Sequence, residues 1–277
     1  MFNQFSEYAI IFMVIIMIID AHVHIGDMMN FSLKLSKIKE IMENRKIEKA
    51  VVSSIDATEV DHYQKVIEDN VKTQTQVNQE LLELLRDEPN FSILVWCKPL
   101  TEGWNKEFEN FLLENLDKIK GLKFHPFHSA IKMTDKKIKP YLEFANKYKL
   151  AVKVHCADDK HSKSKYTYKV AKKYPNINFV MAHLELGVNH KKARELLLKQ
   201  KNLYADTAWL PSEEAVKIIL EGGQNKIIFG SDAPIDGDTH YKFYEDYFSY
   251  DFIKKIGLDN YTLLMNGNAI RVYKLKD

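Results

Sequence analysis

Five histidines and one aspartate stand where the chain could do chemistry. His22 and His24 are two residues apart at the end of a long apolar run, His125, His155 and His183 each close a further apolar run, and Asp232 follows Ile227 to Ser231. In a strand, residues two apart share a face, so the first pair points the same way over roughly 7 Å of rise. Their imidazoles can then converge on one cation about 2 Å from each nitrogen. A His-x-His pair alone is more often two polar residues packed near a loop, and Gly-Ser-Asp-Ala-Pro at 230–234 reads equally well as a turn. What changes the balance is convergence. Opposite a histidine-bound cation, a carboxylate can both ligate the ion and accept a proton from water, whose pKa such an ion lowers from 15.7 toward about 7.

Convergence requires elements that bring distant segments together. Eight apolar, β-rich runs recur at 15–24, 50–55, 91–98, 121–125, 151–155, 177–183, 202–205 and 226–231. Between them lie amphipathic stretches at 33–46, 65–86, 106–118, 136–148, 164–173, 191–199 and 213–220, with apolar residues three and four apart, as in Ile138, Leu142 and Ala145. Pro175-Asn176 leads into the sixth run, Gly222-Gly223 ends the last helix, and Ser212 is placed to cap it with Glu213 and Glu214 in its first turn. Strands alternating with helices without a break predict an α/β fold, a single-domain (β/α)8 TIM barrel with its reactive residues at the C-terminal strand ends. An open doubly wound sheet would show a glycine-rich turn after its first strand, and none is present.

The 277 residues carry 40 Lys and Arg against 38 Asp and Glu, a net charge of +2, which by itself argues for neither a nucleic-acid nor an anionic-membrane partner. A small-molecule substrate is the expected partner, with a homodimer left open. Cys97 and Cys156, both in apolar runs, suit reduced core thiols and a cytoplasmic location better than a disulfide. Residues 9–19 form an unbroken apolar run of 11, short of the roughly 20 needed to span a bilayer. Without a basic flank or cleavage site it does not read as a secretory signal. Residues 1–16 are assigned to an N-terminal extension, with Met13 or Met17 as an alternative start, and 17–277 to the barrel.

The motifs together resemble the amidohydrolase superfamily, in its amidohydrolase-related branch of metal-dependent TIM-barrel hydrolases. They are Ile-Ile-Asp-Ala-His-Val-His at 18–24, Gly-Leu-Lys-Phe-His-Pro at 121–126, Val-His at 154–155, Met-Ala-His-Leu at 181–184, Phe-Gly-Ser-Asp-Ala-Pro at 229–234 and Gly-Asn-Ala-Ile-Arg at 267–271. The resemblance implies that His22, His24 and His155 bind a divalent metal, that Asp232 binds it and shuttles protons, and that His183 polarises substrate or ligates a second ion. Zinc leads on ligand type, with manganese or iron as alternatives. Many binuclear relatives carry a carboxylated lysine or a glutamate on strand four. Lys123 shares the face of His125 but lies two residues deeper, so both are assigned to substrate binding and one ion is favoured over two.

Lys123 and Lys153 would be buried cations on inward faces, with Asp20 the inward carboxylate expected to pair with one of them. Asp206 and Thr207 end the seventh strand, lining the pocket or holding it by hydrogen bonds. His62, His128, His161, His190 and His240 receive no chemistry, although His128 follows strand four closely enough to touch substrate. The leading expectation is hydrolysis of a C–N or C–O bond in an amide, cyclic amide or lactone. A metal-dependent, non-oxidative decarboxylase with the same ligands is the alternative, and a catalytically silent binding barrel is a third.

Overall fold

The computed structural model describes residues 16–235 and 237–276. Residues 1–15 of the proposed extension, with the alternative start at Met13, fall outside these residues, as does the side chain of His240. Eight parallel strands follow one another in spatial order: β1 (Ile19–Ile25), β2 (Lys49–Ser54), β3 (Phe91–Trp96), β4 (Ile119–Phe124), β5 (Ala151–Ala157), β6 (Phe179–Leu186), β7 (Leu203–Asp206) and β8 (Ile227–Ile228). The ring closes through backbone bonds between β1 and the segment after β8: Ala21 N–H to Phe229 O at 3.0 Å, Asp232 N–H to His22 O at 2.7 Å, and His24 N–H to Ala233 O at 2.8 Å. The fold is a single-domain (β/α)8 barrel.

Helices α1 (Leu35–Arg45), α2 (Gln74–Leu84), α3 (Lys106–Glu114), α4 (Lys139–Tyr148), α5 (Ser164–Lys173), α6 (Lys191–Lys199) and α7 (Ser212–Ile218) alternate with the strands. The helix expected from residue 65 starts later, because Thr73 and Gln76 form a capping box that fixes the start of α2. Ser212 does not cap α7. It is the first helical residue, behind Pro211, and its hydroxyl bonds Asp246 instead. After β8 the chain forms a 3-10 segment (Gly237–Phe248), then α8 (Tyr250–Ile256), α9 (Leu258–Thr262) and α10 (Asn268–Tyr273). Among the described residues no helix is long and apolar enough to cross a membrane.

Most of the core lies between strands and helices. A second apolar cluster takes Ile19 and Ala21 from β1, Val51, Leu94, Ala151, Val180 and Ile228 from other strands, and Val272 and Tyr273 from α10. Two residues further along the same strand faces come Ser53, Trp96 and Lys153, and after Lys153 comes His155. The interior therefore turns from apolar to polar toward the C-terminal strand ends. Burying each large apolar side chain stabilises the fold by roughly 1.5–3 kcal/mol, which offsets the cost of keeping charge above it.

Candidate metal centre

The site is built on the seam between β1 and the end of β8. His22 Nε2 and His24 Nε2 lie 3.1 Å apart, and Asp232 Oδ1 is 3.1 Å from the first and 3.0 Å from the second. Donors about 2.0–2.1 Å from a tetrahedral zinc are roughly 3.3 Å from one another, close to this triangle. Two imidazole lone pairs facing each other at such a distance repel unless a cation or proton lies between them. The donor set thus fits a divalent metal.

The opposite edge of each ring is held. His24 Nδ1 lies 3.3 Å from Ser53 O and 3.1 Å from Ser53 Oγ. Donation of Nδ1–H to the carbonyl leaves Nε2 with its lone pair free for a metal. His22 Nδ1 is 2.9 Å from Asp206 Oδ2, out of line for a full hydrogen bond yet close enough to favour the same tautomer. His22, His183 and Asp206 form a second group of clustered donor atoms. Because the nitrogen His22 turns to Asp206 is Nδ1, and its Nε2 belongs to the first triangle, this group reads as support for the first site.

His183 is turned inward by a left-handed kink, with φ of 67°, 45° and 65° at His183, Leu184 and Glu185. Its N–H bonds Asp206 Oδ1 at 2.9 Å and its Nδ1 lies 3.2 Å from Ala208 O, so its Nε2 is left for the cavity. His155 stands outside the tight triangle. Its ring stacks on His125, with centroids 3.8 Å apart, and meets His183 edge-on at 4.8 Å. His22, His24, Trp96, His125, His155 and His183 form a closed circuit of rings at neighbouring centroid distances of 3.8–5.7 Å. His125 differs in one respect: its Nδ1 accepts the His128 N–H at 3.3 Å, which places its own proton on Nε2 and makes that nitrogen a donor.

Lys123 and Lys153 are buried, as expected, with 0% and 1% exposure. Lys123 Nζ reaches within 3.1 Å of His22 Nε2 and lies over the Trp96 ring. The expected partner, Asp20, pairs with neither lysine. The β1–β2 register shifts between Asp20 and Val23, and Asp20 instead bonds Ser231 and Tyr241 behind β8. Asp206 takes that role: its Oδ2 is 2.9 Å from Lys153 Nζ, which also donates to Ala21 O at 2.6 Å. Asp206 thereby couples Lys153, His22 and His183.

Burial sets the protonation of the cluster. It lowers the pKa of His24 and His183, and lowers His22, His125 and His155 well below the ordinary imidazole value. Neighbouring groups add to this, Lys153 and Lys123 for His22 and the His183 ring for His155. Burial, then Lys153, brings Lys123 down to about 7. For Asp232 burial acts upward, but His22 and His24 outweigh it and hold the carboxyl well below its usual range. Neutral imidazoles beside an ionised carboxylate are the forms that bind a cation.

The amidohydrolase family model matches residues 19–275. The chain belongs to the amidohydrolase family. No curated protein matches it by sequence. Among solved structures, a manganese-bound 5-carboxyvanillate decarboxylase of Novosphingobium aromaticivorans superposes with a TM-score of 0.71 at 12% identity, over 94% of this chain and 97% of that one. A 2,6-dihydroxybenzoate decarboxylase from Rhizobium gives 0.66 at 12% identity, over 94% and 99%. A zinc-bound amidohydrolase from Burkholderia multivorans gives 0.64 at 13% identity, over 94% and 100%. At these identities the likeness carries the barrel, and family members bind divalent metals.

Two contributors were not singled out from sequence. Trp209 donates its indole N–H to Asp232 Oδ2 at 3.1 Å, and Tyr241 fixes Asp20. Trp209 comes from the loop after β7 and Tyr241 from the 3-10 segment after β8. The one available signal is the spacing of Tyr241, Tyr244 and Tyr247, three apart as in a 3-10 helix.

Proposed function

We propose that this protein is a metal-dependent hydrolase that cleaves a C–N or C–O bond, in an amide, cyclic amide or lactone, of a small molecule. The observation that supports it is the triangle of His22 Nε2, His24 Nε2 and Asp232 Oδ1, each 3.0–3.1 Å from the others. These three residues would hold the ion, with His155 as the further ligand that the family resemblance suggests. A divalent metal there, zinc first and manganese or iron as alternatives, supplies Lewis acidity and acidifies water. Asp232, kept ionised, accepts the proton released. His125, with its proton on Nε2, stabilises the developing oxyanion, while His183, held through Nδ1, turns an Nε2 lone pair to the cavity that can accept a proton from the substrate or water. Lys123 anchors an anionic part of the substrate. The free, buried Cys97 and Cys156 support a reducing, cytoplasmic setting.

Lys123 also supports a second reading. A buried lysine whose pKa is near 7, beside the metal-facing nitrogen of His22, is suited to hold a carboxylate that leaves as CO2. Isotopes separate the two. The zinc- and manganese-loaded protein is assayed against lactones, amides and aromatic acids in H2 18O and in D2O. Hydrolysis places one 18O in the product carboxylate, whereas decarboxylation places solvent deuterium on carbon and releases CO2. His24→Ala is expected to abolish metal retention, and Asp232→Asn to keep some metal while losing turnover. Full activity in both variants sinks either reading.

A further inference from the structure

We infer that Trp209 is a positioning residue for Asp232, dividing its carboxylate so that Oδ1 alone faces the cation site. This rests on the metal-site reading above. The indole Nε1–H donates to Asp232 Oδ2 at 3.1 Å, while Asp232 Oδ1 stands 3.0–3.1 Å from the two histidine nitrogens. A carboxylate free to rotate can offer a cation one oxygen or both. One with an N–H directed at its second oxygen is held to one.

The backbone around the pair is built to keep this arrangement. Trp209 and Asp232 both occupy the left-handed region, with φ of 57° and 68°, which bulky residues seldom adopt without other contacts to hold them. Tyr244, fully buried, supplies those contacts. Its hydroxyl accepts the Trp209 N–H at 2.7 Å and donates to Ser231 O, the carbonyl just before Asp232, at 2.8 Å. Asp232 N–H is itself bonded to His22 O at 2.7 Å. The two side chains thus meet at the ends of two backbones joined through one phenol. Tyr241, Tyr244 and Tyr247 bond Asp20, Ser231 O and Leu210 O in turn, which seats this 3-10 segment behind the site.

The test compares wild type, Trp209→Phe, Tyr244→Phe and a distant control, Trp104→Phe, which alters a ring packed on Phe108, Tyr141 and Phe144. Zinc affinity is measured by chelator competition, and the cobalt-substituted proteins are compared by d–d absorption, which weakens when coordination number rises. Trp209→Phe is expected to lose roughly 10-fold or more in affinity, the usual effect of removing a group that orients a ligand. Its cobalt spectrum should weaken as Asp232 binds through both oxygens, with the thermal midpoint unchanged. Tyr244→Phe should move in the same direction by less, and Trp104→Phe should match wild type. If wild type holds no stoichiometric metal, the metal-site reading is wrong. If wild type binds and Trp209→Phe matches it in affinity and spectrum, the role given to Trp209 is wrong.

Discussion

His22 joins fold and chemistry in a single residue. Its carbonyl takes the Asp232 N–H that closes the barrel, its Nδ1 faces Asp206, and its Nε2 faces the cation site. Keeping such a ring neutral and buried has a consequence for stability without metal. His22, His24, His125, His155 and His183 all have lowered pKa values in the folded chain, whereas in the unfolded chain they titrate near 6.5. Below that pH the unfolded state binds more protons, so stability falls with acid by up to ~1.4 kcal/mol per pH unit for each histidine. Denaturant titrations of metal-free protein at pH 7.5, 6.5 and 5.5 should therefore give steadily lower midpoints; a flat series would contradict the buried, neutral cluster. These histidines and Asp232 were legible in sequence because each ends an apolar strand. The Lys153 partner was not, since the register shift that turns Asp20 away from the lysines leaves no local mark, and only the fold brings Asp206 to Lys153.

Among the elements, β1 and the segment after β8 must approach closely for the triangle to form, and Gly230 permits it. A Cβ at this position would lie 2.8 Å from His22 Cβ and 3.2 Å from His22 N. Gly230→Ala is expected to fold, because its neighbours in the core are unchanged, but to push His22 out of register and weaken metal binding by roughly 10-fold or more. Equal zinc affinity in that variant, measured by chelator competition, would show that the seam has slack. The same region marks the limit of what sequence revealed about elements. The strands follow continuous apolar runs and the helices through α7 a period of 3.6, and the main error there was an α2 begun too early. Beyond β8, which is only two residues long, a 3-10 segment and three short helices follow. Tyrosines three apart fit neither pattern, so neither marks the segment that braces Asp20 and Asp232.

At the scale of the whole molecule, an even net charge conceals a strong segregation. Residues 118–201 carry 21 Lys and Arg against 6 Asp and Glu, while the rest of the chain carries 19 against 32. In a barrel whose strands neighbour one another in sequence order, that stretch becomes one side of the protein, formed by β4 to β6 with α4 to α6. Lys172, Lys173, Lys191 and Lys192 are exposed on it. A charged support lies nearer to the side that faces it than to the rest of the protein, and screening weakens the far side further, so it senses the facing surface more than the sum. At pH 8.2, the isoelectric point given by the sequence, the protein should therefore bind a cation exchanger at low salt. Reversing those four lysines to glutamate, with the same number of solvent-exposed acidic residues elsewhere changed to lysine to restore the net charge, should abolish retention at that pH. Flow-through of the wild type would mean that the basic side is neutralised by the acidic residues flanking it, and that net charge describes this surface after all.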